Sequence, residues 1–414
     1  MIKRWLLARR SFDAPLIALA IALLAIGNPI AKGAFLFFGL IGVNLGFARH
    51  RTWRYADTAF CAAIIAYASW SIGLMVFRNE PVDGNRMFSY SLIILGFVFL
   101  PLSISLVREP LDALILGSRA AILAALALIP FDPMVIGGRI DLGGNAAIVA
   151  FLAATAGLAA RLDARRPASF LPNSRLWFYL SFVPVLLSGT RAAWFVYLLV
   201  ALFDGLELIR HWRKIPFRLR SLALPIAAVL IAAAVPLALT IAERITAGVQ
   251  EIEELNDTGL VQAGGSMDIR LVMWAGAFDV VSKSPIVGVG GMERMDAVAA
   301  AVAPANAPSV AYYTHLHNLF VDEAASNGLV GLALLMSIFA VFLIRVTRCS
   351  PGHLVPETSY AFVFLVVTFG SFHGVLLNEW MILSIFSFMT LILVAIRRDA
   401  FRARYRSGLS GAGG

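Results

Sequence analysis

Residues 314–346 read THLHNLFVDEAASNGLVGLALLMSIFAVFLIRV, and this stretch decides the fold. Its first half is polar and holds His315 and His317, whereas the residues from Gly328 onward are almost wholly apolar. An apolar run of this length is about what an α-helix needs to cross roughly 30 Å of hydrocarbon. The stretch therefore predicts a membrane-spanning helix entered from a polar segment. It also places two imidazoles, which take up protons near neutral pH, at the bilayer surface.

The whole chain shares this apolar character. Of its 414 residues, 60% are hydrophobic and only 14% are charged. A soluble protein of this length has too much surface to be covered by so few polar residues. Runs long enough to span a bilayer recur about twelve times. They lie at residues 13–27, 33–48, 56–77, 87–107, 112–130, 146–160, 176–187, 192–209, 221–242, 328–346, 358–376 and 380–396.

The predicted fold class is therefore all-α: a polytopic membrane protein with about twelve transmembrane helices and one large periplasmic loop containing surface helices. The first nine helices occupy residues 1–242, the loop 243–327, the last three helices 328–400 and a cytoplasmic tail 401–414.

The loop contains one clear amphipathic segment. Ile269, Met273 and Val280 share one face of a predicted helix that ends before Pro285. We expect this helix to lie on the membrane surface.

The basic residues predict the orientation. Most of the 34 Lys and Arg residues lie in alternate connections between spans, beginning in residues 1–10 and ending in 397–406. Because cytoplasmic loops are enriched in these residues, both termini are predicted in the cytoplasm and the long loop in the periplasm. The net charge of +9 is thus a topology signal, spread over short loops and not a nucleic-acid site. Neither Cys61 nor Cys349 falls in the periplasmic loop, so no disulfide is expected there.

Two external arginines are candidate ligands for phosphate groups. Arg191 lies in the short turn Ser188-Gly-Thr-Arg191, where it either reaches to lipid headgroups or binds a phosphate with both arms of its guanidinium. Arg270 lies in an acidic part of the loop, where it either pairs with Asp268 or a nearby glutamate or contributes to the same site. Together the two cations would suit a diphosphate at the membrane surface.

His317 is the candidate general base, and His315 is a weaker candidate. A histidine near a helix start is more often structural. Here, however, the polar neighbours Asn318, Asp322 and Glu323 stand where apolar residues would enter the bilayer at lower cost, which favours a functional site. The remaining external polar residues are expected to be mostly solvated, with some able to bind sugar hydroxyls: Arg78, Glu80, Asp83, Arg86, Arg139, Asp141, Asn145, His373, Asn378 and Glu379.

No metal or cofactor motif occurs. His, Cys and Asp residues do not show metal-ligand spacing, and no P-loop or dinucleotide fingerprint is present. The first external turn, residues 27–33, holds no carboxylate, which argues against metal-dependent lipid-linked glycosyltransferases. We expect neither metal nor cofactor.

Three motifs, in this order, resemble those of bacterial O-antigen ligases. They are Ser188-Gly-Thr-Arg191, then Arg270-x-x-x-Trp274 with Ser284-Pro-Ile-Val-Gly288-Val-Gly290, then His317-Asn318 followed by nine residues and Gly328-x-x-Gly331. The order of the motifs points to the superfamily. It does not separate O-antigen ligases from polysaccharide polymerases or protein O-oligosaccharyltransferases. One departure is Ser326, where a larger polar residue is expected in many relatives.

The resemblance implies transfer of O-antigen polysaccharide from undecaprenyl diphosphate to the lipid A–core oligosaccharide in the bacterial inner membrane. It implies inversion at the anomeric carbon without a metal, on the periplasmic face, among membrane lipids. His317 would be the base, and Arg191 and Arg270 would hold the diphosphate. Four residues are expected to bind the acceptor or support the base: His315, Asn318, Asp322 and Trp274.

Other function classes remain open. A transporter of lipid-linked sugars would carry charged groups at the membrane midplane, whereas Asp57 and Asp112 lie near span ends. A non-catalytic assembly subunit would tolerate His317→Ala. The catalytic hypothesis requires Arg191, Arg270 and His317 to share one outward-facing chamber.

Overall fold

The computed structural model describes residues 2–48, 50–134, 139–142, 144–211, 242–243, 246–261, 267–349 and 354–410. Regular structure in these ranges is helical, without a strand. Residues 243–327, predicted to lie outside the membrane on the periplasmic side, are called the external segment below. The helices before it are α1 Ile2–Ala25, α2 Ile30–Ala48, α3 Thr58–Phe77, α4 Arg86–Gly96, α5 Leu100–Ile104, α6 Pro110–Leu128, α7 Ala146–Ala160, α8 Leu176–Leu180, α9 Phe182–Leu187 and α10 Trp194–His211. The later helices are α11 246–258, α12 Asp268–Lys283, α13 Arg294–Ala301, α14 Ala307–Ala311, α15 Leu319–Cys349, α16 Leu354–Gly370 and α17 Glu379–Ser410.

These helices confirm the polytopic all-α class. Seven are long and apolar enough to cross a bilayer, counting α4 with α5 as one, and four shorter apolar helices accompany them. Together they correspond to every predicted span except 221–242, most of which lies outside the described residues. The total of twelve spans therefore remains a prediction.

Three helix ends differ from the sequence-based boundaries. Helix α15 begins at Leu319 and not at 328, because Asp322 and Glu323 are buried against protein partners that a hydropathy pattern does not reveal. Helix α16 ends at Gly370 and not at 376, and α17 continues helically past 400 to Ser410.

The membrane core is organised around α17. In its apolar part 89% of residues are buried, against 28% in α2. Aromatic rings join α17 and α7 to α16: Phe362 stacks on Phe388 at 4.0 Å between ring centroids, and Phe151 meets Phe369 at 5.1 Å. Since lipid tails are as apolar as these side chains, close packing is what holds the helices together. The result is a firm frame for the loops at either end.

One end of this frame is held by ion pairs of basic residues. Asp57 accepts hydrogen bonds from Arg345 at 3.2 Å and Arg397 at 3.0 Å. Arg161, fully buried, donates to Asp204 and Glu357, each at 2.8 Å. All three arginines belong to connections predicted to be cytoplasmic.

The opposite end gathers the remaining connections. Lys32 pairs with Glu379 and lies 4.1 Å from the ring centroid of Trp380, which joins the first external turn to the last. These contacts join connections within each of the two sets that the alternation of basic residues predicts, and the orientation of the chain remains a prediction.

The external segment has its own small core. Ile269, Met273 and Val280 of α12 are buried, and they pack with α13, the end of α14 and the start of α15. The apolar face that we expected on the membrane surface is therefore covered by protein. An amphipathic pattern alone does not distinguish these two coverings.

The segment docks on α15 at a glycine kink. The N–H groups of Val289 and Leu329 donate to the carbonyls of Ala325 and Pro285, each at 2.8 Å. Gly328 has φ 73° and ψ 178°, and a Cβ there would clash with the carbonyl of Ile286. The first glycine of the third motif, Gly328, thus allows backbone contact that fixes the start of α15 relative to the loop.

Candidate active site

A cavity of about 890 Å³ lies between the external segment and the starts of α4, α7 and α17. Its walls include His315, His317 and His373. The rings of His315 and His317 are 4.2 Å apart between centroids, and Tyr313 meets His317 edge-on at 5.4 Å. Two histidines close in sequence and one that is distant in the chain therefore share one chamber.

The loop that carries the first two histidines is held at Leu316. The indole N–H of Trp274 donates to the carbonyl of Leu316 at 2.8 Å, and the N–H of Leu316 donates to Asp322 at 3.1 Å. Arg294 pairs with Asp322 at 2.8 Å and donates to the carbonyl of Thr314, also at 2.8 Å. Because Leu316 is fully buried, these bonds fix the peptide between the two imidazoles.

His317 has a strained backbone. Its φ is +51°, in the left-handed region, which a residue other than glycine adopts at a cost of roughly 1–2 kcal/mol. Its Nδ1 is buried without a hydrogen-bond partner among the described residues. Asn318 caps α15 by accepting the N–H groups of Phe320 and Val321 at 3.0 and 3.2 Å. Asn318 thereby fixes where the helix begins, directly after the histidine.

The environment keeps all three imidazoles neutral. Burial, then the nearby His315 and Arg270, lowers the pKa of His317 to about 4. Burial and the surrounding charges, Arg270 first, lower the pKa of His373 to about 3. Burial likewise lowers the pKa of His315; Asp322 opposes this shift, and the positive charges of Arg294, Arg270 and Arg86 add to it. At neutral pH each ring is unprotonated and able to accept a proton.

Charged side chains of both signs and the starts of helices line the rest of the chamber. Arg86 and Arg139 line it and are exposed to it, alongside Asp141 and Asp296. Three helices also begin at the cavity, and their caps Asn85, Asn145 and Asn378 each accept a backbone N–H of the first turn. Because the start of a helix carries partial positive charge, the chamber favours an anionic ligand.

Arg270 and Arg191, the two arginines predicted to bind phosphate, differ in their position relative to this cavity. Arg270 is half-buried and close enough to lower the pKa of all three histidines, although it is not among the lining residues. Arg191 begins a short 3₁₀ turn, Arg191–Ala193, and is half-buried outside the lining. That turn follows residues 188–190, which Arg139 contacts. The joint role of Arg191 and Arg270 therefore remains a prediction.

The sequence pattern does not single out the residues that the membrane helices contribute to the cavity. It predicts Arg86, Arg139 and His373 only as members of a mostly solvated set, some of which bind sugar hydroxyls, and all three line the cavity. The only sequence feature that indicates them is that they are polar residues in short connections predicted to be external. The spacing of residues along the chain does not show which distant loops come into contact. From the sequence, Glu323 is predicted only as a polar neighbour of His317. It is buried, with the hydroxyl of Tyr67 donating to it at 3.1 Å and the amide of Asn327 at 2.8 Å.

The described ranges contain no group of three or more His, Cys, Asp or Glu residues arranged to hold a metal ion. The lining of the chamber presents neutral imidazoles beside the guanidinium groups of Arg86 and Arg139. Such a set can remove a proton from a hydroxyl while an anionic leaving group is stabilised.

Residues 176–336 match the family model described as O-antigen ligase, which includes the arginine turn, the external helices and the first part of α15. No curated protein matches the chain. The family match covers residues 176–336 and supports the resemblance seen in the motifs, and with the apolar helices it supports a membrane enzyme of the O-antigen ligase and polymerase type.

Proposed function

We propose that the enzyme transfers a glycan from undecaprenyl diphosphate to a hydroxyl of the lipid A–core oligosaccharide, in the bacterial inner membrane and on its periplasmic face. The coarser assignment rests on the family match. The donor, acceptor and chemistry are our inference from the chamber. No nucleotide sugar is present outside the inner membrane, so the sugar must arrive already activated on a lipid carrier.

The proposed step is a single displacement at the anomeric carbon. His317 removes the proton of the acceptor hydroxyl as its oxygen bonds to the anomeric carbon. The bond from that carbon to the diphosphate oxygen breaks, and its electron pair leaves with the lipid diphosphate. Because attack comes from the face opposite the leaving group, the configuration inverts. A positioned base contributes about 10²–10⁴-fold.

The observation that carries this proposal is the chamber itself. Three neutral imidazoles, exposed arginines and three helix starts face one cavity of about 890 Å³. That volume accommodates a few sugar residues with a diphosphate. Arg270 and Arg191 would stabilise charge that develops on the leaving group. Asp322 and Trp274 would hold the base through Leu316.

Transfer by purified protein tests the assignment. The protein is given labelled undecaprenyl-diphosphate-linked glycan and rough lipopolysaccharide, and the label is followed on both. We expect label on lipopolysaccharide with the wild type and none with His317→Ala. Tyr312→Phe is the matched control, because Tyr312 lies on the same loop, is 85% exposed and does not line the cavity.

The same assay separates the neighbouring activities. Lengthening of the lipid-linked chain without label on lipopolysaccharide would identify a polymerase and reject the ligase proposal. Label on protein would identify an O-oligosaccharyltransferase. Full activity of His317→Ala would reject the proposed base.

A further inference from the structure

Arg139 is fixed by the turn that belongs to the first sequence motif. Its Nε donates to the carbonyl of Ser188 at 2.7 Å, and Nη2 donates to the hydroxyl of Thr190 at 2.9 Å. Between them Gly189, at φ +65°, leaves room for the side chain, since a Cβ there would lie 3.1 Å from Nε of Arg139. The N–H of Ile140 also donates to Leu187 at 3.2 Å. The guanidinium is therefore held before any ligand arrives.

The charge of this arginine is not compensated by the groups that hold it. A carbonyl and a hydroxyl are neutral acceptors, in contrast to Asp322, which pairs with Arg294 across the cavity. Nη1 of Arg139 makes no hydrogen bond to any described residue, and the side chain is exposed to the chamber. The entropy of ordering this side chain is therefore already lost in the folded protein. Nη1 and the positive charge of the guanidinium remain available to a ligand.

Its position relates it to the reacting groups. Arg139 lies close enough to His373 to act on it electrostatically, and His373 in turn is close to His315 and His317. A guanidinium at this position would face an anion bound between the histidines and the starts of α7 and α17. Nearby helix starts, capped by Asn145 and Asn378, add partial positive charge at the same wall.

We propose that Arg139 binds the diphosphate of the lipid-linked donor and that the Ser188-Gly-Thr190 turn is its positioning element. This rests on the proposed function. Arg139 lies outside residues 176–336, the part matched by the family model, so the assignment comes from the chamber of this chain. The turn then contributes through its neighbour Arg139 as well as through Arg191.

Phosphate groups on the acceptor oligosaccharide share this chemistry, so the experiment separates the two sources. Protein in nanodiscs is titrated with undecaprenyl diphosphate without a glycan and, separately, with rough lipopolysaccharide. For Arg139→Ala we expect diphosphate affinity to fall roughly tenfold or more, as for loss of a charged hydrogen bond. Affinity for lipopolysaccharide should stay unchanged. Arg139→Lys should give an intermediate loss, because one ammonium cannot serve the turn and the ligand together.

Two further variants test the positioning role and the specificity. Thr190→Val keeps the shape of the turn and removes the hydroxyl acceptor, so it should weaken diphosphate binding by only about threefold, because the guanidinium keeps its bond to the carbonyl of Ser188. Lys283→Ala also removes one external positive charge, but Lys283 pairs with Asp279 on the exposed face of α12 and should leave binding unchanged. Should Arg139→Ala unfold, Arg139→Gln removes the charge while keeping a donor for the turn.

Wild-type diphosphate affinity in Arg139→Ala or Arg139→Gln would overturn the proposal, as would a loss confined to lipopolysaccharide. Failure of the proposed function looks different. If the wild type moves no glycan to lipopolysaccharide but still needs Arg139 to bind undecaprenyl diphosphate, the binding role stands and the ligase assignment falls.

Discussion

At the scale of single residues, the distinctive property of the chamber is that the imidazole of His317 stays unprotonated at pH values well below the ordinary pKa of histidine. Burial and the neighbouring His315 and Arg270 lower the pKa of His317 to about 4. An imidazole of ordinary pKa, 6.5, would be almost wholly protonated at pH 4 and inactive as a base there. The binding of an anionic donor would oppose the effect of Arg270, because negative charge favours the imidazolium.

This predicts a shifted pH profile. The value of kcat/KM should stay level from pH 8 to about 5 and fall as pH approaches 4, because it reports the free enzyme. The acidic limb of kcat should lie at higher pH, because it reports the complex with the anionic donor. Initial rates of glycan transfer across this range provide the test. A kcat/KM limb near 6.5 would contradict an imidazole with a lowered pKa.

Stability must be followed over the same range. The pKa of His317 and that of His373 are lower in the folded chain than in the unfolded chain, so the unfolded chain binds more protons at acid pH. Their contribution to stability is therefore fully present above about 6.5 and is lost as pH falls toward 4. Thermal unfolding at each pH separates this loss from the loss of the base.

The hydrogen bond from Trp274 to the loop gives a second prediction. Trp274→Phe keeps an aromatic ring but leaves the buried carbonyl of Leu316 without this donor. We expect kcat to fall about tenfold, because a displaced base loses reactive geometry, with little change in donor KM. Trp194→Phe is the matched control, since Nε1 of Trp194 is buried without a partner in the described ranges. Equal losses in the two variants would contradict the positioning role.

How much of this site the sequence predicts depends on how local the signal is. His317, Asp322 and Trp274 belong to motifs whose residues lie within a few turns of one another, and the structure links the last two through Leu316. The placement of Arg139 and His373 depends on how distant helix starts come together. The spacing of single polar residues in short turns does not predict which helix starts lie close together.

At the scale of elements, the kink in α15 is the joint between the two parts of the protein. The loop that ends α12 lies against the turn of α15 that holds Ala325 and Ser326, and Arg78 from the end of α3 donates to the carbonyls of Val287 and Gly288. A straight, fully apolar helix would leave these carbonyls without partners at the membrane surface. The loop and α15 are therefore joined by backbone hydrogen bonds and by the side chain of Arg78.

Gly328→Ala tests this joint. The substitution places a Cβ against the carbonyl of Ile286 at a backbone conformation that only glycine adopts readily. We expect destabilisation on the order of 3 kcal/mol or more, measured by thermal unfolding in detergent. Gly39→Ala is the control within another membrane helix, because a Cβ there has open space and improves helix propensity by about 1 kcal/mol. An unchanged melting temperature for Gly328→Ala would mean that the kink is not required.

The helices also show which features of the fold can be predicted from the sequence and which cannot. Apolar runs predict the spans well, because the bilayer imposes one length on all of them. They do not predict what covers an amphipathic face, as α12 demonstrates, nor the short helices α13 and α14 in an Ala/Pro-rich segment. Both features depend on packing within the external segment and not on the bilayer.

At the scale of the whole molecule, the two ends of the bundle differ in their use of charge. At one end Arg161, Arg345 and Arg397 are paired with carboxylates. At the other end Arg86 and Arg139 face an open cavity. The predicted orientation places the first end in the cytoplasm, so paired arginines brace the helices there while the exposed ones remain available to a ligand on the outer side.

Labelling of introduced cysteines tests that orientation. In a background with Cys61→Ala and Cys349→Ser, Tyr312→Cys and Phe170→Cys each present one thiol, since Tyr312 and Phe170 are 85% and 74% exposed. An impermeant maleimide applied to spheroplasts should label Tyr312→Cys directly and Phe170→Cys only after permeabilisation. The reverse pattern would place the histidine chamber in the cytoplasm, where nucleotide sugars are abundant. The argument for a lipid-diphosphate donor would then fail, even though the family and the geometry of the chamber were unchanged.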